Sequence, residues 1–543
     1  MSPFAVATLV CALSIVWAVR KAITITKCIQ KNLTGPPRTS WITGNILQLN
    51  EPNGLDFHSH LLQYGGVAKI HGLFGDEQIY FSDPLALRHI LITEEHLFPE
   101  TPTFTALNKL TFGDAMSTVH GPQHKKQRKL LNPIFAPVHM RGLVPVISDL
   151  ANEVAHILER DVHGGKSDID MLDLLWRAAI ETIGRVGLGC SFGDLDKEKN
   201  VSNPYSDSVK HYFPNVVKLG PLLIFLPALS RVGSPSFRRR IVELIPSTTI
   251  QTVKRLIDTM DQGSHDVLSK RKAALASGEE DVLSEKVGKG RDIIKLLLTA
   301  NESVSEDDRL SEEEVIGQIN LFLFASSVTT SGALARTLEK LARNPDVQER
   351  LRKELVEAQL DHGPISYDAL TGLKYLHAVL KETLRLYPPV ITMERTASQD
   401  VTVPLHMPVK GVDGQMISQI HVAKNQTVII GVANCNTDPR IWGSDALMWK
   451  PDRWLEPLPE SLLTAHVPGV LSNTMSFLCG PRACIGYNMA LMEMKLILLA
   501  LIPKFHFALS DDMVEWKLGF TQYPTVFGKG SQLPLKLSLF PVD

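Results

Sequence analysis

Near its carboxyl end the chain reads Phe477-Leu478-Cys479-Gly480-Pro481-Arg482-Ala483-Cys484-Ile485-Gly486. Gly480-Pro481 interrupts any regular element, and from Asn488 the apolar residues Ala490, Leu491, Met492, Met494, Leu496 and Ile497 have helical spacing. A thiolate just ahead of a helix is favoured by free backbone N–H groups and the positive end of the helix dipole, so Cys484 can offer an anionic ligand to a metal. An unpaired cysteine is more often an inert buried side chain. The arginine and glycines at fixed offsets set this one apart. Three more groups could do chemistry: Glu382 with Arg385 on one helical face, followed later by Arg453; His124 with Arg128 in a basic run; and the hydroxyls of Ser326, Ser327, Thr329 and Thr330 inside an apolar run. Each has a plainer reading. An exposed ion pair at this spacing contributes little, a basic run is often a solvated face, and helical hydroxyls can bond back to the preceding turn.

The stretch around Cys484 resembles the haem-ligand loop of the cytochrome P450 superfamily, Phe-x-x-Gly-x-Arg-x-Cys-x-Gly, at every specified position. That resemblance implies haem b (iron-protoporphyrin IX), with the Cys484 thiolate on iron, Arg482 on a propionate, Phe477 shielding the sulfur, and Gly480 and Gly486 permitting close backbone approach. A thiolate in this position pushes electron density that favours O–O cleavage. The family's basic helix carries a Trp and, four residues on, an Arg for the propionates; here His124 replaces the Trp and still donates a hydrogen bond, and Arg128 keeps its place. Arg395, after Pro388-Pro389, matches the arginine that commonly meets a propionate, and Val390 to Met393 would line the substrate pocket. The family also pairs a Glu-x-x-Arg helix with a Pro-x-Arg-Trp segment, so Glu382, Arg385 and Arg453 are expected to form a buried structural triad. Residues 433–443 resemble an Asp-Pro-x-x-Trp-Gly segment, with Asn436 where His is frequent.

The family's oxygen-activation motif falls on the hydroxyl cluster. Ala325, at the haem, and Thr329 and Thr330 match it, whereas Ser326 stands where glycine is usual and Val328 where an acid is usual. Val328 cannot relay a proton. The expectation is that oxygen activation persists through Thr329, with Thr330 beside it and Ser326 or Ser327 ordering water, but with altered proton delivery. Two alternatives follow: a haem-thiolate isomerase or dehydratase that needs no dioxygen, and a non-catalytic haem-binding sensor at a membrane.

These residues need a scaffold, which the resemblance implies is mainly α with a smaller β portion. Ser311-Glu312-Glu313-Glu314 forms a capping box opening a helix to about Arg343, on the order of 48 Å long. Leu373 to Leu386 reads as the helix carrying Glu382 and Arg385, and Gly121 onward as the basic helix. Val67–Ile70 and Gln78–Phe81 read as a hairpin across Gly75-Asp76. Residues 211–231 are apolar but broken by Pro214, Gly220, Pro221 and Pro227; core packing is the default, and the resemblance implies a mobile lid that also touches the membrane. Residues 274–291 read as an exposed loop, and 515–530 as a hairpin whose tip can reach the pocket.

At 543 residues, 44% hydrophobic and 21% charged, the composition is that of a globular protein, and a net charge of −2 gives no reason to invoke nucleic acid. Six scattered cysteines do not make a disulfide scaffold, and none has zinc spacing. Phe4 to Val19 is an uncharged apolar run followed, not preceded, by Arg20, Lys21, Lys27 and Lys31, which favours a signal anchor over a cleaved signal. The expected organisation is an anchor over 1–22, a basic, proline-rich hinge over 23–40, and a haem-thiolate catalytic domain over 41–543. It would be single-pass in the endoplasmic reticulum membrane with that domain cytosolic. Without a nucleotide or flavin domain of its own, it would take NADPH electrons from NADPH–cytochrome P450 reductase, with cytochrome b5 as a further donor. Lys125, Lys126 and Lys129 are available to attract the reductase. The activity implied is monooxygenation of a lipophilic small molecule, a terpenoid or other secondary metabolite.

Overall fold

The computed structural model describes residues 31–193, 195–196, 203–277 and 292–540. The expected anchor and the first part of the hinge lie outside these residues. Among the described residues, no single helix is long and apolar enough to cross a membrane. The helix-rich chain, with smaller sheets, divides into two compact units: Met1–Thr101, Ile391–Leu447 and Pro459–Ala483; and Pro102–Val390, Met448–Leu458 and Cys484–Asp543.

The first unit is built on a four-stranded sheet. Strands β1 (Val67–His71) and β2 (Glu77–Phe81) form the expected hairpin, with the turn centred on Leu73–Gly75 and positive φ at Phe74 and Gly75. Two later strands complete it, β3 (Thr392–Thr396) and β4 (Thr427–Gly431), in the order β1-β2-β4-β3. β4 runs parallel to β2 and antiparallel to β3. The proline-rich hinge is not a free linker at its carboxyl end, because the Lys69 amide donates to Thr34 O at 2.9 Å and lays that segment along β1.

Helices make up most of the second unit. In chain order those that position the candidate site are α1 (Pro102–Phe112), α2 (Gly121–Leu131), α3 (Pro204–Val217), α4 (Glu312–Arg343), α5 (Lys374–Leu386) and α6 (Tyr487–Leu501). The α4 capping box is present, with the Glu314 amide on Ser311 Oγ and the Ser311 amide on Glu314 Oε2. A hairpin of β5 (Val514–Leu518) and β6 (Gln522–Val526) follows. Gln522 fastens it to the turn after α5: its amide donates to Pro389 O and its Nε2 to Pro388 O, both at 2.9 Å.

The structure corrects two expectations. The run over 211–231 is core packing only in its first part: α3 continues through Pro214 to Val217 with Tyr212 and Val216 buried, then the chain bends by 92°, and short turns follow in which Leu222 and Leu229 stay about half exposed. Pieces cut this short by Gly220, Pro221 and Pro227 cannot surround their apolar side chains. The loop expected from 274 begins as helix, since Thr248–Ser277 runs to Ser277; its remainder, 278–291, lies outside the described residues.

Candidate active site

In the second unit the site is built on α4 and the start of α6. Nearly every side of α4 is buried, including Leu323, Phe324, Ser327, Thr330 and Ser331. Within that burial, Ala325 keeps exposed surface and Leu321, Ser326, Val328 and Thr329 are partly open. Leu321, Ala325, Val328 and Thr329 fall at helical i, i+4, i+7 and i+8, so the open positions form one stripe. Thr330 lies about 140° around the helix from Ala325 and is buried. Exposed surface in the middle of a core helix marks space meant for something else.

The hydroxyls show how the chain uses its polar residues here. Thr329 Oγ1 donates to Ala325 O at 2.7 Å, and Ser327 Oγ to Leu323 O at 2.8 Å. Ser326 Oγ reaches Leu323 O only at 3.5 Å, the outer limit of a hydrogen bond. Back-bonding to the preceding turn is therefore present, and it leaves the Thr329 oxygen as an acceptor on the open stripe.

Cys484 stands just ahead of Gly486, the N-cap of α6. Dense surroundings push its thiol pKa up, while the Gly486 amide on the sulfur and the Arg128 guanidinium pull it down. It nevertheless keeps exposed surface. The exposed surface leaves the Cys484 sulfur accessible to a ligand. Gly486 has no atom within 4 Å of where a Cβ would be and has φ −87°, so its backbone needs no glycine; what it leaves is room. From α2, His124 is buried and Arg128 Nη1 points to Met116 Sδ at 3.8 Å.

Aromatic rings gather around Phe324. Its ring centroid lies 5.4 Å from Phe112 of α1, 5.9 Å and 6.4 Å from Tyr212 and Phe213 of α3, and 5.6 Å from Phe520 at the β5–β6 turn; Phe213 and Phe520 are 4.8 Å apart. No ionisable group stands on the open stripe of α4, where Leu321, Ala325 and Val328 are apolar.

The Glu382 network also lies in this unit. Glu382 and Arg385 are completely buried, and Glu382 accepts from Arg385 Nε and Nη2 at 2.9 and 2.8 Å and from Arg453 Nε at 3.3 Å. Two donors that sequence reasoning missed complete it: the Lys450 amide and Trp454 Nε1, each at 3.0 Å. Trp454 was within reach of inference because it follows Arg453 in the same motif.

In the first unit, Arg482 and Arg395 are buried side chains that share a partner. Glu100 Oε1 is 3.3 Å from Arg482 Nε and 3.5 Å from Arg395 Nη2, and Glu95 Oε1 is 3.7 Å from Arg482 Nε. Gly480 has φ +69° and a Cβ there would sit 2.2 Å from Leu91 O, so close backbone approach does require this glycine. Phe477 is half-buried, and Asn436 receives the Met475 amide at 2.6 Å while donating to Ser476 Oγ at 3.0 Å, bracing the strand of chain that leads into the loop.

In the second unit the open cysteine, the room at Gly486 and the open stripe of α4 fit a large flat group with a metal; in the first unit, taken by itself, the buried Arg395 and Arg482 suit acidic substituents. Comparison with known proteins agrees. The family model described as Cytochrome P450 matches residues 34–526. A protein named cytochrome P450 monooxygenase 91 from Postia placenta is 42% identical over 507 residues, covering 93% of each chain. One named ganoderic acid synthetase from Ganoderma lucidum is 35% identical over 91% of each chain. Another named as a cytochrome P450 monooxygenase, eriI, from Hericium erinaceus is 35% identical over 94% of this chain and 93% of its own.

Proposed function

Given that the chain belongs to the cytochrome P450 family and is a monooxygenase, we propose that it oxidises a bulky lipophilic natural product of the terpenoid kind, with electrons from NADPH through a separate reductase. The observation that carries the substrate class is the Phe324 cluster beside an α4 stripe that has no ionisable group. The relative named for ganoderic acid synthesis supports the same direction. Membrane attachment in the endoplasmic reticulum is part of the proposal and rests on the apolar run Phe4 to Val19 and the basic residues after it.

Haem, the family's cofactor, supplies dioxygen activation when bound. Cys484 would hold its iron, and Arg482, Arg395, His124 and Arg128 its carboxylates. The Gly486 amide and Arg128 favour the ionised sulfur that such ligation needs. Thr329 Oγ1, its proton committed to Ala325 O, accepts a hydrogen bond from a water on the open stripe. Ser326 Oγ, loosely held at 3.5 Å, can turn to that water and help order it by a hydrogen bond, a task Val328 cannot perform. The apolar side chains around them exclude bulk water.

The test is to express the full chain in a reductase-bearing host and compare metabolites without a preset target, then to measure NADPH and oxygen consumption on the compound found. Oxygen-dependent product is the expected result. A product formed without oxygen or NADPH would identify an isomerase or dehydratase, which Val328 alone would favour. Haem uptake with no product would identify a binding protein.

A further inference from the structure

Glu100 belongs to no motif, yet it is the group through which two of the candidate haem-carboxylate arginines are joined. One oxygen, Oε1, faces Arg482 Nε at 3.3 Å and Arg395 Nη2 at 3.5 Å. All three side chains are more than nine-tenths buried. Two guanidinium ions brought this close in a buried place repel each other, and a carboxylate between them is the simplest device that keeps both in position. The chain also holds the carboxylate firmly. Residues 97–100 are laced to β3 and its continuation by the Thr396 amide on Pro99 O (2.9 Å), the Ser398 amide on Leu97 O (2.8 Å) and a bridge between Glu100 and Arg395. Arg395 is steadied from its other side, where Nη1 donates to Glu394 O at 2.8 Å. Glu100 meets Arg482 at Nε, the guanidinium nitrogen nearest the main chain.

We propose that Glu100 is a positioning residue for haem: it sets Arg395 and Arg482 as a paired fork for the haem propionates and offsets the repulsion between them. It rests on the reading of Arg395 and Arg482 as propionate partners. Glu95, at 3.7 Å from Arg482 and partly exposed, is a weaker second counter-ion and serves as the control.

The experiment uses the ferric holoenzyme and two readouts, the propionate bending band in resonance Raman spectra and the rate of haem release to excess apomyoglobin. Glu100→Gln keeps the shape and removes the charge. It should shift the propionate band and speed haem release about tenfold, as expected for loss of a charge-assisted contact. Glu95→Gln should change release less than about twofold and leave the band in place. Arg395→Lys and Arg482→Lys should each move the band. Faster release from Glu100→Gln with an unmoved band would reduce Glu100 to a structural residue and overturn the proposal, as would no change in either readout. If neither lysine variant moves the band, the reading of the arginines fails first and the proposal with it. Should Glu100→Gln load no haem, Glu100→Asp, which keeps the charge but shortens the reach, carries the same comparison and should show a smaller shift of the same band.

Discussion

Replacing Glu382 by alanine removes one carboxylate and leaves donors on the buried Arg385 and Arg453 and on the partly buried Lys450 and Trp454 facing a hole. Breaking a buried ion pair from one side typically costs about 3–5 kcal/mol, because the surviving charge stays desolvated. The indole and backbone N–H groups each add about 1–3 kcal/mol where water cannot reach them. Glu382 and Arg385 have no exposed surface, so little relief is available. A loss of about 5 kcal/mol or more compares with roughly 5–15 kcal/mol for the stability of a whole domain, so Glu382→Ala should accumulate little haem-loaded protein. Glu382→Gln does not escape, since its amide NH2 must face donors at one of the two oxygen positions. The assay is haem per protein together with urea unfolding followed at the haem band. Full haem loading and a stability loss below about 1 kcal/mol would refute a structural role for this network.

On the open side of α4, Thr329→Ala should lower product formed per NADPH severalfold and send the missing electrons to hydrogen peroxide, measured by coupled oxygen, NADPH and peroxide assays; an unchanged ratio would contradict the role given to Thr329 Oγ1. Ser326→Gly, which restores the family's usual residue, should worsen coupling here because its hydroxyl helps order water where Val328 cannot. Burial raises the Glu493 carboxyl on α6 from 4.5 to about 8, with Thr182 as its hydrogen-bond partner and Oε1 left without one. An acid whose pKa is raised by folding contributes stability below its unfolded pKa and loses it as pH rises, here between about 4.5 and 8. Glu493→Gln should remove that decline, seen as a flatter curve of unfolding midpoint against pH across this window.

Much of the site could be read before the fold because the motifs sit on elements with local signals. The capping box at Ser311 and Glu314 and the stop at Asn344-Pro345 bounded α4, and Gly121-Pro122 opened α2. What was illegible depended on partners remote in the chain. Glu100 meets Arg395 and Arg482 across nearly three hundred residues or more, and no spacing rule links positions so far apart. Phe213, Phe324 and Phe520 each look like ordinary core residues in their own segments, and only folding makes them one wall. In the run over 211–231 only the α3 part is buried; prolines and glycine set the length of each later piece, and that length decides how much can be buried.

The most direct test of thiolate ligation is the reduced carbon-monoxide difference spectrum of the wild type beside Cys484→Ser and Cys484→His. The wild type should show the red-shifted Soret band of a thiolate-ligated haem, and both variants should lose it while any haem they retain absorbs at the shorter wavelength of nitrogen or oxygen ligation. Retention of the red-shifted band by Cys484→Ser would show that the iron ligand is another residue.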